Sequence, residues 1–251
     1  MHPVPARSAN LLDFEFGGPI EIHSSGTNLT RTAESVAFVG LQTSQRNQLF
    51  IRGTVESFVI FFQPAAIHQL FKLPPGELID RDHAAGLVLG KAISELHQKL
   101  GDACSFEERV QIANQFIFSY SLRAAPPDRI ELLANEITRN HGACRMDCLA
   151  HQAGLSVRNF QRMFWQQIGL SPKLYARIVR FESALKIKVL FPGKSWTTVA
   201  HGLGYHDQMH MIHDFEKLSG ETPTGILEQM EAVFAPQIVP AARKDPNLLV
   251  L

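Results

Sequence analysis

The sequence predicts an α+β protein in two parts. A small antiparallel sheet or partial barrel with covering helices comes first, followed by an all-α part made of two helix-turn-helix units on one linker helix. Three observations predict this. Short runs of alternating apolar and polar residues occupy the first sixty positions and stop at Pro64. From Asp128 onward the apolar spacing becomes helical. Within that stretch Met146–Gly169 and Ser195–Gly220 each set a tight glycine-containing turn between two amphipathic helices, the sequence form of a helix-turn-helix.

The strands come in order. Phe14 and Phe16 alternate with Asp13 and Glu15, Ile20 and Ile22 flank Glu21, and Gly17-Gly18-Pro19 turns between the two runs. Val36–Leu41, Leu49–Arg52 and Phe58–Phe62 read as further strands, and Pro64 ends the last because proline cannot donate to a sheet ladder. Alternation alone does not separate a curved sheet from a partial barrel. His83–Leu100 is expected to be one helix with Leu87, Ile93, Leu96 and Leu100 near one face. Ser105–Leu122 is expected to be the next, with Val110, Ile112, Phe116 and Ile117 inward and Ser105/Glu108 as a capping box. These two helices suit a cover for the sheet or a dimer seam. Ala124-Ala125-Pro126-Pro127-Asp128 is the linker expected between domains 1–125 and 128–231, since paired prolines break helices. The tail 232–251, interrupted by Pro236, Pro240 and Pro246, is assigned no fold.

Bulk charge says nothing about partners, because the formal net charge is zero. Local charge says more. Residues 1–125 balance at −2, whereas 156–194 hold eight basic residues against Glu182 alone, a balance of +7 that points to a polyanion. Three cysteines in 251 residues make no disulfide framework. There is no signal peptide and no apolar run near the ~20 residues that span a bilayer, so a cytoplasmic protein without a membrane partner is expected.

In the first unit Leu149, Ala150 and Ala153 are expected to pack on Leu155, Phe160, Met163 and Phe164, with Ser156 as N-cap of the second helix. Arg158, Asn159, Gln161, Arg162 and Gln166 then share the polar side. Arginine suits guanine and Gln or Asn suits adenine, because their paired donors and acceptors match those edges in the major groove. The alternative is an ordinary solvated helix face. The spacer opens with Ser171-Pro172 and runs to Phe191, a strut of ~30 Å at ~1.5 Å per residue. One turn of B-DNA is ~34 Å, so this strut suits two reading helices in successive major grooves. Arg177, Arg180, Lys186 and Lys188 are expected at phosphates, with Tyr175, Ile178, Phe181, Leu185, Val189 and Leu190 packing.

Residues from about 130 to 230 resemble the DNA-binding domain of the AraC/XylS family of bacterial transcription regulators. The carrying residues are Leu149-Ala150, Gly154-Leu155-Ser156, Gln161-Arg162, Phe164, Gly169-Leu170-Ser171-Pro172, Tyr175, Arg180 and Ala184. They continue with Val199-Ala200, Leu203-Gly204-Tyr205, Asp207-Gln208, His210, Phe215, Gly220 and Thr222-Pro223. Before residue 125, Val39-Gly40, Gln42-Thr43, Gly53, Val59, Phe61-Phe62, Pro64 and Leu70-Phe71 resemble a poorly characterised N-terminal domain of some members. The resemblance implies two helix-turn-helix units on one helix, double-stranded DNA as partner, and an N-terminal half that binds a small effector or dimerises. RNA polymerase and a second copy of the chain are the further partners it implies. No effector residue is carried over, and no cofactor or metal is expected.

The second unit departs from the family. Residues 195–231 hold Lys217 against six acids, a balance of −5 that repels DNA at longer range. Members usually have arginine where this chain has His213 and a small polar residue where it has Met209. Gln208, Met209, His210 and His213 are its base-reaching candidates, and the first unit with the linker is expected to dominate affinity. His206, His210 and His213, spaced i, i+4 and i+7 with His201 nearby, allow three readings. They are a groove-facing set whose protonation strengthens binding below about pH 6.5, a metal site, or neutral polar and packing residues, of which the last is preferred. His141, Cys144, Cys148 and His151 also have zinc-ligand types, but helix geometry would not gather all four, and inert thiols are expected.

Enzyme motifs are lacking: there is no nucleotide-binding glycine loop, H-E-x-x-H or G-x-S-x-G, and Asp80 and Asp82 around Arg81 read as a solvated turn. Some family relatives carry alkyltransferase chemistry on a cysteine, whose Pro-Cys-His context is missing here. The expectation is a sequence-specific transcription regulator reading two adjacent major grooves. The alternative is an interaction module whose weakened second unit has little independent DNA specificity.

Overall fold

The computed structural model describes residues 2–24 and 29–229. The tail 232–251 and Glu231 therefore lie outside the described residues. The strands are β1 (His2–Val4), β2 (Asn10–Gly17), β3 (Ile20–Ser24), β4 (Thr30–Thr32), β5 (Val36–Val39), β6 (Asn47–Ile51), β7 (Val55–Phe62) and β8 (Asp82–Ala84). They form two four-stranded antiparallel sheets, ordered β1-β6-β3-β4 and β7-β2-β5-β8. Residues of both sheets line a common cavity of about 120 Å³, so the sheets face one another as the two walls of a partial barrel. The turn between β2 and β3 needs Gly17, whose φ is +95° and where a Cβ would stand 2.8 Å from the Thr54 carbonyl oxygen.

Alternation assigns the two faces of β2. Leu12 and Phe14 are buried in a cluster with Phe38, Phe58, Phe62 and the covering helices, while Leu11, Asp13 and Glu15 line the cavity between the sheets. The helices of this half are α1 (Ala66–Phe71), α2 (Pro75–Leu78), α3 (Gly86–Leu89), α4 (Lys91–Asp102) and α5 (Phe106–Ser121).

The single helix expected over His83–Leu100 is three elements: β8, α3 and α4. Gly90, at φ +57° and ψ −136°, holds a backbone region open essentially to glycine alone and separates α3 from α4. Leu87, expected inward, is 86% exposed in consequence, whereas Ile93, Leu96 and Leu100 are buried. The capping box expected at Ser105 is also altered. Ser105 Oγ accepts from the Glu108 N–H at 3.1 Å, but the Glu108 carboxylate accepts from Cys104 N–H at 2.8 Å, one residue early. Nor is the Asp80–Asp82 turn solvated. Asp80, left-handed at φ +57°, accepts from the N–H and Oγ1 of Thr43, both at 2.7 Å, and pairs with Arg46 at 3.2 Å.

The rest is helical: α6 (Arg129–Arg139), α7 (Met146–Ala153), α8 (Val157–Ile168), α9 (Pro172–Leu190), α10 (Trp196–Gly202) and α11 (Gln208–Ser219). A full capping box, Asp128 with Glu131, starts α6. The turn after α6 needs glycine at 142, where φ is +74° and a Cβ would stand 2.1 Å from the Ala176 carbonyl oxygen on α9. Gly142→Ala is expected to cost about 2–5 kcal/mol through left-handed strain and overpacking, read as a lowered unfolding midpoint in urea.

The two halves share one apolar cluster, in which Ala6, Leu41 and Ala65 join the core of the helical half. Backbone bonds cross there as well. Ala6 N–H donates to the Leu218 carbonyl of α11 at 2.9 Å, and Ser8 N–H donates to Glu182 of α9 at 3.0 Å.

Candidate nucleic-acid interface

Two helix-turn-helix units sit at the two ends of α9. In the first, Gly154 takes the left-handed conformation at φ +69° that ends α7, and Ser156 Oγ accepts from Asn159 N–H at 3.3 Å to start α8. Leu149, Ala150, Ala153, Phe160 and Phe164 are buried as one core, with Leu155 and Met163 packed on it. The face left to solvent carries Arg158, Asn159, Gln161, Arg162 and Gln166, all exposed. Sequence reasoning passed over Trp165, which is 59% exposed on the same helix. The signal was available: an indole one helical turn beyond Gln161 and Arg162 falls outside the buried Phe160/Phe164/Ile168 stripe.

The second unit is built alike. Ser195 caps α10, Gly204 turns at φ +71°, and the Asp207 carboxylate accepts from His210 N–H at 2.7 Å to start α11. Trp196 packs edge-on to Phe215 with centroids 5.7 Å apart. Gln208, Met209, His210 and His213 are exposed, Met209 at 69%. His206 lies before α11 rather than on it, with Nδ1 3.1 Å from the Asp207 carboxylate, so the three histidines do not form one helical stripe. His210 sets its ring edge-on to Tyr205 at 5.6 Å. His141 meets Ser183 Oγ at 3.2 Å and Cys144 Sγ turns to the Gly142 carbonyl. Cys148 and His151 are exposed on α7, and no group of three or more His, Cys, Asp or Glu is gathered among the described residues.

The joining helix is 19 residues, ~28 Å at ~1.5 Å per residue. Two of the arginines expected at phosphates point into the domain instead. Arg177 donates through Nε and Nη2 to one oxygen of Asp214, at 3.1 and 2.6 Å, and the Asp214 side chain is only 2% exposed. Arg180 donates to the Gly142 carbonyl at 2.9 Å and lies over the Tyr205 ring at 5.1 Å. Burial drives the first placement. An enclosed carboxylate needs a charge partner, and Arg177 supplies it from the packed face of α9. Lys188 closes the end of α9, donating to the Pro192 and Lys194 carbonyls at 2.7 and 2.6 Å. The same contacts lighten the acidity of the second unit. Asp214 is neutralised internally, and the Asp207 charge lies on the N-terminus of α11, where the helix dipole favours it.

Two carboxyl groups raised into the neutral range lie away from this face. Burial raises Glu182 to about 7, against the Ser8 hydrogen bonds and the charge of Arg7 that favour its ionised form. Burial, then the charge of Asp13, raises Glu15 to about 8 between the sheets. Both folded-state values lie above the unfolded value of 4.5, so the fold holds protons that the unfolded chain has released. These groups therefore subtract stability as pH rises from about 4.5 to about 8. The melting midpoint is expected to be lower near pH 8.5 than near pH 6, and Glu182→Gln to flatten that dependence; a midpoint that rises over the range contradicts the assignment.

Among the described residues no helix is long and apolar enough to cross a membrane. A family profile described as a helix-turn-helix domain matches residues 149–229. No curated protein sequence matches the chain. Solved structures of ToxT from Vibrio cholerae share its fold. One, from strain O395, is 11% identical with a TM-score of 0.53, over 92% of this chain and 94% of that one. A second, bound to a methylnaphthalenyl butenoic acid, is 10% identical with a TM-score of 0.53, over 91% and 94%. A third, bound to an unsaturated fatty acid, is 12% identical with a TM-score of 0.53, over 92% and 91%. Residues 149–229 thus match a helix-turn-helix domain of the AraC type, and the chain as a whole shares the fold of the ToxT structures.

Proposed function

We propose that the protein is a sequence-specific transcription regulator that sets α8 and α11 into two adjacent major grooves of double-stranded DNA. One observation carries it: base-matching side chains are exposed on both second helices, at either end of a single helix of ~28 Å, close to one turn of duplex. Arg158, Gln161 and Arg162 suit guanine and adenine edges, with Asn159 and Gln166 beside them. Trp165 offers apolar contact to a thymine methyl. Gln208, Met209, His210 and His213 form the second set, with less charge assistance. The first unit supplies most of the affinity.

Selection from random duplexes with the full chain tests this. Two enriched blocks about one helical turn apart are expected. A single short block would confine reading to α8. No enrichment would favour the runner-up, an interaction module, which the acid surplus of residues 195–231 supports. That surplus weighs less with Asp214 internally paired.

The N-terminal half is the regulatory part in this reading. A small effector, a second copy of the chain and RNA polymerase are its proposed partners. The ligand-bound ToxT structures support an effector, but its chemistry does not transfer directly. The space between the two sheets is lined by Asp13, Glu15, Glu34 and Asp82 against Arg7 and Arg31. Arg31 pairs with Asp82, and Arg7 donates to the Ala9 and Gly40 carbonyls. A carboxylate ligand would meet acids there without an available cation.

A further inference from the structure

A second cavity, of about 440 Å³, lies outside the sheets at the junction of the two halves. That is within the size range of small-molecule sites. The N-terminal half supplies one wall through Ser8, Val59 and Phe61. The helical half supplies the other through Thr138 of α6 and Tyr175 of α9. Phe106 stands at the rim, 58% exposed, and Phe61 is 38% exposed. These two rings face solvent where most other phenylalanines of the chain are buried. At the base, the fully buried Tyr175 has its hydroxyl 3.0 Å from Thr138 Oγ1. The lining has no charged side chain. Two buried ionisable groups lie behind the lining: Glu182, which accepts from both N–H and Oγ of Ser8, and Arg7, whose guanidinium donates to the Ala9 and Gly40 carbonyls.

We infer that this cleft is the effector site, and that its ligand is an uncharged aromatic molecule carrying one hydroxyl or carbonyl group. The inference rests on the regulatory reading of the N-terminal half. Each element of the ligand answers a feature of the wall. Aromatic rings at the rim favour a flat apolar body, which stacks on them in offset or edge-to-face geometry. The paired hydroxyls of Thr138 and Tyr175 can exchange one hydrogen bond with a single polar group. A carboxylate would be buried against a lining that holds no cation, with the Arg7 guanidinium behind it already engaged by the Ala9 and Gly40 carbonyls, so anions are disfavoured. A cation finds no carboxylate in the lining, since that of Glu182 is covered by Ser8.

The position explains how such a ligand reaches the DNA-binding face. Tyr175 and Glu182 lie seven residues apart on one side of α9, and the segment Ala6–Ser8 touches α9 and α11 together. A ligand wedged between Phe61 and Tyr175 joins the sheet to the helix that carries both reading units. By linkage, DNA and ligand then change each other's affinity by the same factor.

The test is a ligand-observed NMR titration of the full chain with 2-naphthol, coumarin and indole, and with 2-naphthoate as the charged counterpart of naphthol. At least one neutral compound is expected to bind with a dissociation constant on the order of 0.1 mM. Naphthoate should bind roughly tenfold more weakly or worse. Val59→Trp, which fills the cleft, should weaken the neutral compound by about tenfold. Phe106→Ala, at a rim ring whose loss burdens the fold little, should weaken it severalfold. Leu49→Trp, which fills the space between the sheets instead, should leave it unchanged. Binding of none of the three neutral compounds at about 2 mM overturns the inference. So does equal binding of naphthoate, or loss of binding in Leu49→Trp but not in Val59→Trp. Duplex selection on the same preparation separates the two proposals. Enriched DNA without aromatic binding sinks the cleft alone; aromatic binding without enriched DNA sinks the regulator reading.

Discussion

Arg162→Ala is expected to weaken binding to the selected duplex by about 10- to 100-fold, the range for losing one bidentate contact to a base edge. The side chain stands exposed on α8, one turn from Arg158 and beside Gln161, with the helix fixed from behind by Phe160 and Phe164. Its removal leaves the core of the unit untouched, so the melting midpoint should stay within the small range of surface substitutions. Specificity should relax at one base pair of the enriched site and hold elsewhere. His213→Ala, the matching change on α11, is expected to cost only a few-fold, because an imidazole in an acid-rich unit supplies fewer charge-assisted contacts than a guanidinium. Electrophoretic or fluorescence titrations of both variants at one salt concentration decide the ranking. Equal losses would mean that the two units contribute alike.

Arg177→Met is expected to lower stability by ~3–5 kcal/mol, the usual result of stripping one partner from a buried ion pair. Asp214 would be left nearly sealed from water, because both of its hydrogen bonds come from Arg177 and fall on the same oxygen. The damage should concentrate in the second unit, whose helix α11 is tied to α9 by that pair. Replacing both partners with apolar residues, Arg177→Met with Asp214→Leu, should restore much of the loss. The double variant also separates two roles for the arginine. If Arg177 met a DNA phosphate, the double variant would still bind weakly and its salt dependence would fall by about one phosphate contact. A structural arginine gives recovery of DNA binding with the salt slope unchanged.

The helical half was legible because its signals are local. Gly154, Ser156, Ser171-Pro172, Ser195 and Asp207 each act within four residues, and the apolar stripes of α8 and α11 repeat within a turn. What the sequence hid was long-range. Arg177 and Asp214 are 37 residues apart, and Ser8 and Glu182 are 174 apart. Composition gives no means of pairing such residues, so Arg177 and Arg180 looked like phosphate ligands on a basic helix. The sheet half was legible where alternation was strong, as in β2 and β7, and hidden where strands are three residues long, as in β4 and β8. The periodicity of His83–Leu100 misled because one glycine, Gly90, breaks it without interrupting the apolar count.

The bond from Ser8 to Glu182 also bears on the order in which the protein comes into being. A ribosome adding about 5–20 residues per second needs roughly 9–35 s to pass from the first of these residues to the second. During that interval the sheet half can close while Ala6 and Ser8 still await their partners on α9 and α11. The nascent chain thus presents a finished berth before the helix that occupies it exists. Codon changes that alter synthesis speed between residues 125 and 218 should shift soluble yield more than the same changes after residue 219, once that berth is filled.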